Sequence, residues 1–257
     1  MNNIIFEFDY FIEKSKIFEK TLNFLSKSLN KEYKNIENEY TKVFKELQYK
    51  NQYKPSYTEV KTGELNDTDH YRQIEIETEF LISNMINDYT DISTIISESI
   101  LIKINSDIEK FLVQLSKKTY AYLIEKQGSV ILPYNYNDKE TRFFTDSLIA
   151  GKRISEYLNQ KSKITDLKYW NEYILMRNLR NKFAHGNSIF ILNEKEFNQY
   201  NKLYKNPIVI KKNSTHEKNK IICSITPNIE PLIEFNAHML EFIEIIRNQY
   251  NILLKDN

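Results

Sequence analysis

Helix-breaking residues are sparse enough in this chain to dictate its architecture. Only 4 glycines and 5 prolines punctuate 257 residues, so turns are few and long periodic elements are favoured. From Ile4 to Leu47, apolar residues including Ile5, Phe8, Ile12, Leu22, Leu25, Leu29, Tyr33, Ile36, Tyr40 and Val43 recur mostly every three or four positions, which predicts helix with a break near Asn30. Gln48 to Asp69 contains Pro55 and Gly63 among polar residues and reads as a loop. Leu81, Met85, Tyr89, Ile92, Ile96, Ile100, Ile104, Ile108, Phe111 and Leu115 then form one stripe with steps of three or four, the pattern of a buried helix face. Ser106 with Glu109 fits a capping box, so one helix is expected to end there and another to begin.

Gln127 to Asp138, with Gly128 and Pro133, reads as a connector. A helix is expected over Thr141–Asn159, with Phe143, Phe144, Leu148, Ile149, Ile154 and Tyr157 apolar. Asp166 reads as the N-cap of the next helix, which carries Leu167, Trp170, Tyr173, Ile174 and Phe183 and stops at Gly186. The pattern then changes. Ile189–Leu192, Ile208–Ile210 and Ile221–Ile225 are short β-branched runs that suit a small antiparallel sheet or a long hairpin, with an irregular insertion as the alternative. A final helix is expected from about Ile229 to Leu254, capped by Asn228 or Thr226, with Pro231 in its first turn where a missing N–H is harmless. The fold class is therefore mainly α: a bundle of about six helices with a β-hairpin or sheet insertion before the C-terminal helix. No internal repeat is visible, and one helical domain is expected over 1–257, with a loop at 48–70 and a β-rich insertion at 187–226.

Several function classes drop out. The single cysteine, Cys223, can form neither an internal disulfide nor a Cys-based zinc site. Met1 to Tyr10 carries Glu7 and Asp9 without a basic run, unlike a signal peptide, and no apolar run of about 18 residues exists. A cytoplasmic protein with no membrane partner is expected. The formal net charge of +1 hides an uneven distribution. Glu75 to Glu109 holds eight acidic residues against Lys103 alone. Lys139 to Lys182 holds ten basic residues against five acidic ones, and Glu194 to Lys220 seven against three. These are either solvated helix faces or a basic surface suited to a polyanion beside an acidic one suited to a basic partner. The abundance of Lys, Asn, Ile and Tyr also fits an AT-rich genome, which alone raises the lysine count.

The segment Arg177-Asn178-Leu179-Arg180-Asn181-Lys182-Phe183-Ala184-His185-Gly186-Asn187 carries the chemistry. Asn181 and His185 are four apart and share a helix face. Arg180 is five before His185, about 140° around an ideal helix, and its long side chain can swing toward that face. An imidazole, with an ordinary pKa of about 6.5, can accept or donate a proton at neutral pH. An arginine can clamp phosphate oxygens and stabilise developing negative charge. An asparagine can hold the phosphate or orient its neighbours. These are the parts that metal-independent RNA cleavage by the 2′-OH requires. Arg177, one turn earlier, and Lys182 are candidates for further phosphate contacts, or Arg177 pairs with Glu172 or Asp166.

The order Arg180, Asn181, Ala184, His185, Gly186 at a helix end resembles the R-x4-6-H motif of the HEPN superfamily, and in particular the stand-alone bacterial MAE-type proteins. The motif covers about ten residues, and the architectural likeness about two thirds of the chain. The resemblance implies a HEPN-like helical bundle and a metal-independent endoribonuclease with no cofactor. Arg180, Asn181 and His185 would be the catalytic residues, with Arg177 and Lys182 binding RNA phosphates. It also implies a homodimer in which two motif helices make one composite cleft, a toxin or antiphage defence role, and an antitoxin or defence-system partner protein. Asn187 stands where HEPN toxins paired with a nucleotidyltransferase carry tyrosine, so that pairing is not implied. A bare Arg-x4-His also occurs at ordinary helix ends, and some HEPN modules only bind nucleotides or proteins. His70, His216 and His238 are scattered without metal-ligand spacing and are expected to be incidental. Among the 18 tyrosines, some could stack on bases and most should be core or rim residues.

Overall fold

The computed structural model describes residues 2–51, 67–127, 146–157, 163–186, 189–214 and 220–255. Among the described residues are six α-helices: α1 (Asn2–Asn51), α2 (Asp67–Gln127), α3 (Ser147–Tyr157), α4 (Trp170–Gly186), α5 (Glu194–Asn201) and α6 (Glu230–Lys255). A 3-10 turn spans Ile164–Asp166, and three strands, β1 (Phe190–Leu192), β2 (Val209–Ser214) and β3 (Ile221–Ile225), lie between α4 and α6. The protein is thus mainly helical with a small sheet insertion where the β-branched runs predict one.

The frame is α1, α2 and α6. α1 runs antiparallel to α2: Lys14 Nζ lies 3.0 Å from Asp107, Lys118 pairs with Glu7, and the Tyr89 hydroxyl donates to the Leu29 carbonyl at 3.0 Å. α6 is antiparallel to α1, with Arg247 2.5 Å from Asp9 and Tyr250 packed edge-on against Phe8. Phe8 and Phe11 of α1 meet Phe111 of α2 at ring separations of 5.3 and 4.8 Å, which is favourable aromatic geometry. α3 docks on α2 and is capped by Asp146, whose Oδ1 accepts from Leu148 N at 2.8 Å. At Gly151 a Cβ would fall 2.5 Å from Trp170 Cη2, so the bare backbone there admits the first residue of α4.

The sheet is antiparallel in the order β1-β3-β2, with Phe190 opposite Cys223 and Val209 opposite Ile225. Phe190, Leu192, Val209, Cys223 and Ile225 turn one face into the common core. α5 sits inside this insertion and was not legible as a separate helix. Its capping box is Asn193 accepting from Glu196 N at 2.9 Å while Glu196 accepts from Asn193 N at 3.1 Å.

Several expectations are corrected. α1 passes Asn30 without a break and reaches Asn51, and α2 begins at Asp67, so both ends of the expected loop and His70 are helical, while 52–66 lie outside the described residues. The expected helix over Thr141–Asn159 is observed as Ser147–Tyr157, with 141–145 and 158–159 outside the described residues. Phe143, Phe144, most of the expected connector 127–138 and His216 also lie outside them. α2 runs unbroken through Ser106 and Glu109, which do not cap a new helix. Asp166 lies in the 3-10 turn rather than at the start of the motif helix, which begins at Trp170 after Tyr169 at φ 72. The long α2 stripe is not one face. Each step of four residues advances 400°, so successive steps of four drift about 40° around the helix. Ile100, Ile104, Ile108, Phe111 and Leu115 are buried, whereas Leu81, Met85 and Ile92 are exposed.

α6 starts as the sequence predicts. Asn228 Oδ1 accepts from Glu230 N at 2.9 Å, and Pro231 occupies the first turn. No helix among the described residues is long and apolar enough to cross a membrane.

Candidate functional site

α4 carries the Arg180–His185 segment and ends at Gly186, as the sequence predicts. Tyr173, Met176 and Leu179, spaced by three, are fully buried and anchor it in the core, each such side chain contributing on the order of 1.5–3 kcal/mol. The Tyr173 hydroxyl is 2.7 Å from Ser147 Oγ at the start of α3, and burial pushes its phenol well above the usual range. This fixed helix face leaves Arg177 and Arg180 pointing at α2.

Both arginines converge on one oxygen. Arg177 Nε donates to Glu109 Oε1 at 3.0 Å, and Arg180 Nη2 donates to the same atom at 2.5 Å. All three side chains are only 20–25% exposed. Two guanidinium groups against one carboxylate leave the cluster with surplus positive charge. Among the described residues the buried Arg180 Nε has no hydrogen-bond partner, a costly state that an anionic acceptor would relieve.

The remaining candidates are distributed around this clamp. Asn181 is half-buried. Lys182 is half-exposed and turned toward α5, its Nζ 3.4 Å from Glu196. His185 is exposed in the last turn of α4. The structure therefore groups Arg177 with Arg180 and leaves His185 at the solvent-facing end of the same helix. Arg177 pairs with neither Glu172 nor Asp166.

Glu172 serves a second cluster instead. It accepts from the Tyr204 hydroxyl at 2.6 Å and meets His238 Nδ1 at 3.0 Å. The His238 ring stacks on Tyr169 with centroids 4.5 Å apart, and Tyr169 donates to Glu241 at 2.7 Å. Together these contacts hold Tyr169 in its left-handed backbone conformation and tie the start of α4 to α6. His238 thus has a structural partner set.

Sequence reasoning missed Glu109 as a site residue. Its separation from Arg177 and Arg180 by 68 and 71 positions leaves no local signal, and its spacing to Ser106 suggested a cap. Cys223 is buried on β3, where burial pushes its thiol up to about 11, so it is not set up as a nucleophile. Among the described residues no group of three or more His, Cys, Asp or Glu side chains is placed to hold a metal ion. Comparisons with family models, curated proteins and solved structures found no match.

Proposed function

We propose that this chain is a metal-independent endoribonuclease of HEPN type, acting as a toxin or antiphage defence effector. The observation that carries the reading is the placement of two partly buried arginines, one with an unused N–H, on the helix that ends at an exposed histidine. Arg180, assisted by Arg177, would hold the non-bridging oxygens of a phosphodiester and stabilise the charge that grows on them. The 2′-oxygen attacks phosphorus as its proton passes to a base. The bond from phosphorus to the 5′-oxygen then breaks, and that oxygen takes a proton, leaving a 2′,3′-cyclic phosphate. His185 is the chain's proton-transfer group for these steps. One chain supplies one such histidine, so a homodimer joining two motif helices would supply both an acid and a base. Asn181 would orient the phosphate and Lys182 would contact a neighbouring one.

The test is incubation with total RNA and with transfer RNA in EDTA, beside the Arg180→Ala and His185→Ala proteins. The expected result is cleavage by the parent alone, leaving cyclic phosphate ends. Undiminished cleavage by His185→Ala would overturn the reading.

One observation favours a second reading. Glu109 already occupies Arg177 and Arg180, as a structural ion pair would. On that reading the chain is a non-catalytic HEPN module that binds a nucleotide or protein as a regulatory partner in a defence or toxin–antitoxin complex. Co-purification with a second protein and no RNA turnover would select it.

A further inference from the structure

Along α2, Leu81, Met85, Asp88, Ile92, Ile95, Ser99 and Ile102 are all exposed, and their spacing alternates four and three. That spacing averages 3.5 residues, the repeat of a coiled-coil seam. The five apolar members are 40–62% exposed and lie on the side of α2 turned away from the core. They expose on the order of 500 Å², near the upper end of what monomers leave uncovered.

The order of residues says what covers them. From Met85 to Ile102 the seam reads apolar, polar, apolar, apolar, polar, apolar, which is the same in both directions. An antiparallel helix of identical sequence, in the register that sets Ile92 opposite Ile95, matches every layer from Met85 to Ile102. Met85 meets Ile102 and Asp88 meets Ser99, each pair occurring twice by symmetry, and beyond this palindrome Leu81 falls opposite half-buried Ser106. The Ser99 hydroxyl donates to the Ile95 carbonyl at 2.9 Å within α2, and by rotating about its Cα–Cβ bond it can donate to the Asp88 carboxylate instead, which satisfies the polar layer. These pairs are also a-to-d layers, the combination that antiparallel coiled coils use. The exposed stripe on α1, with Phe6, Tyr10, Glu13, Ile17, Lys20 and Phe24, lacks this property, since the same operation sets Glu13 against Ile17.

We infer that a second copy of this chain covers the outer face of α2, through a two-fold antiparallel pairing centred between Ile92 and Ile95. An isologous contact of this kind closes and forms a discrete dimer. The pairing stands on the seam alone and does not depend on RNA cleavage. It has a consequence for the arginine clamp, however. Glu109 is the next seam position after Ser106, and in this register position 78 of the second copy, still within its α2, falls opposite it.

The experiment is light scattering of the full chain from about 1 to 100 µM, a range in which a specific interface of this size populates a dimer. The parent should associate through this seam, and Ile92→Glu and Ile95→Glu should each remove one two-fold step, leaving the motif-helix dimer where that forms and the monomer otherwise, with unchanged helical circular dichroism. Ser99→Asp should weaken the dimer at least tenfold by opposing Asp88, whereas Ser99→Lys should preserve or strengthen it. A double Asp88→Cys/Ser99→Cys protein should be trapped as a covalent dimer by a short thiol crosslinker, and each single variant should not, because Cys223 is buried. A parent that stays monomeric at 100 µM overturns the pairing. So does an association state that Ile92→Glu leaves unchanged, or equal effects of Ser99→Asp and Ser99→Lys.

Discussion

Arg180 Nη2 lies 2.5 Å from Glu109 Oε1, a carboxylate 71 positions earlier in the chain. The same oxygen also accepts from Arg177, so the motif helix and α2 are joined by one shared acceptor. This contact does two things. It stabilises the docking of α4, and it sets the charge that an incoming phosphate would meet. On the proposed function, a phosphate oxygen would compete with the Glu109 oxygen for the same N–H groups, and Glu109 would lower the anion affinity.

Glu109→Gln separates these roles. Removing the negative charge while keeping an amide oxygen as acceptor should tighten RNA binding about tenfold, equivalent to about 1.4 kcal/mol. The same change should lower stability by roughly 1–3 kcal/mol, because two partly buried arginines lose their counter-charge. Filter binding across a salt series and chemical denaturation read the two effects. Weaker binding by the glutamine protein would show that Glu109 orients the arginines rather than competing for them.

Gly151→Ala tests how α3 positions the motif helix. The new methyl carbon would lie 2.5 Å from Trp170 Cη2, well inside contact distance, and Trp170 is buried at the first residue of α4. The ring must move, at a cost of about 1–3 kcal/mol. The expected signature is a shift in tryptophan fluorescence, the chain's sole Trp being Trp170, with a lower melting temperature.

What was legible in the sequence follows from the range of the interactions. Gly186 as a helix stop and Asn228 with Pro231 as a helix start depend on neighbours within a few positions, and the structure places them so. The β-branched runs gave the three strands for the same reason. Ser106 and Glu109 matched a local rule that a continuing helix overrode. The α2 stripe was read as one face because steps of four were counted without their angular drift, which merged exposed Ile92 with buried Ile108. α5 was hidden in a polar stretch whose capping box, Asn193 and Glu196, went unread. In the site itself, Arg177 and Arg180 were legible by type and spacing. Glu109 was not, because its pairing exists only once α4 docks on α2.

Alkaline pH should unfold the protein. Burial holds the Cys223 thiol at about 11 and the Tyr200 phenol at about 12, and raises Tyr173 and Tyr204 as well. These groups are neutral below their ionisation, and the folded state binds their protons more tightly than the unfolded state. Their contribution is therefore complete below about pH 9, the ordinary thiol value, and is lost as pH rises through the ordinary and then the folded values. Equilibrium denaturation should show stability falling from about pH 9 upward, together with slow thiol labelling at pH 8 in the native state. Flat stability up to pH 11 would contradict this assignment.

Lys182 offers the cleanest separation of RNA contact from structure. Its ion pair with Glu196 is 3.4 Å long and its side chain is 34% exposed, and such pairs contribute about 0–1 kcal/mol. Lys182→Ala should therefore leave the melting curve almost unchanged. If Lys182 contacts an RNA phosphate, the substitution weakens binding uniformly across sequences and lowers the salt slope by about 1. Arg180→Ala should behave differently, costing stability as well as affinity, because it breaks the clamp on Glu109. Binding isotherms at several salt concentrations distinguish the two proteins. An unchanged salt slope for Lys182→Ala would assign that lysine to holding α5 against the end of the motif helix.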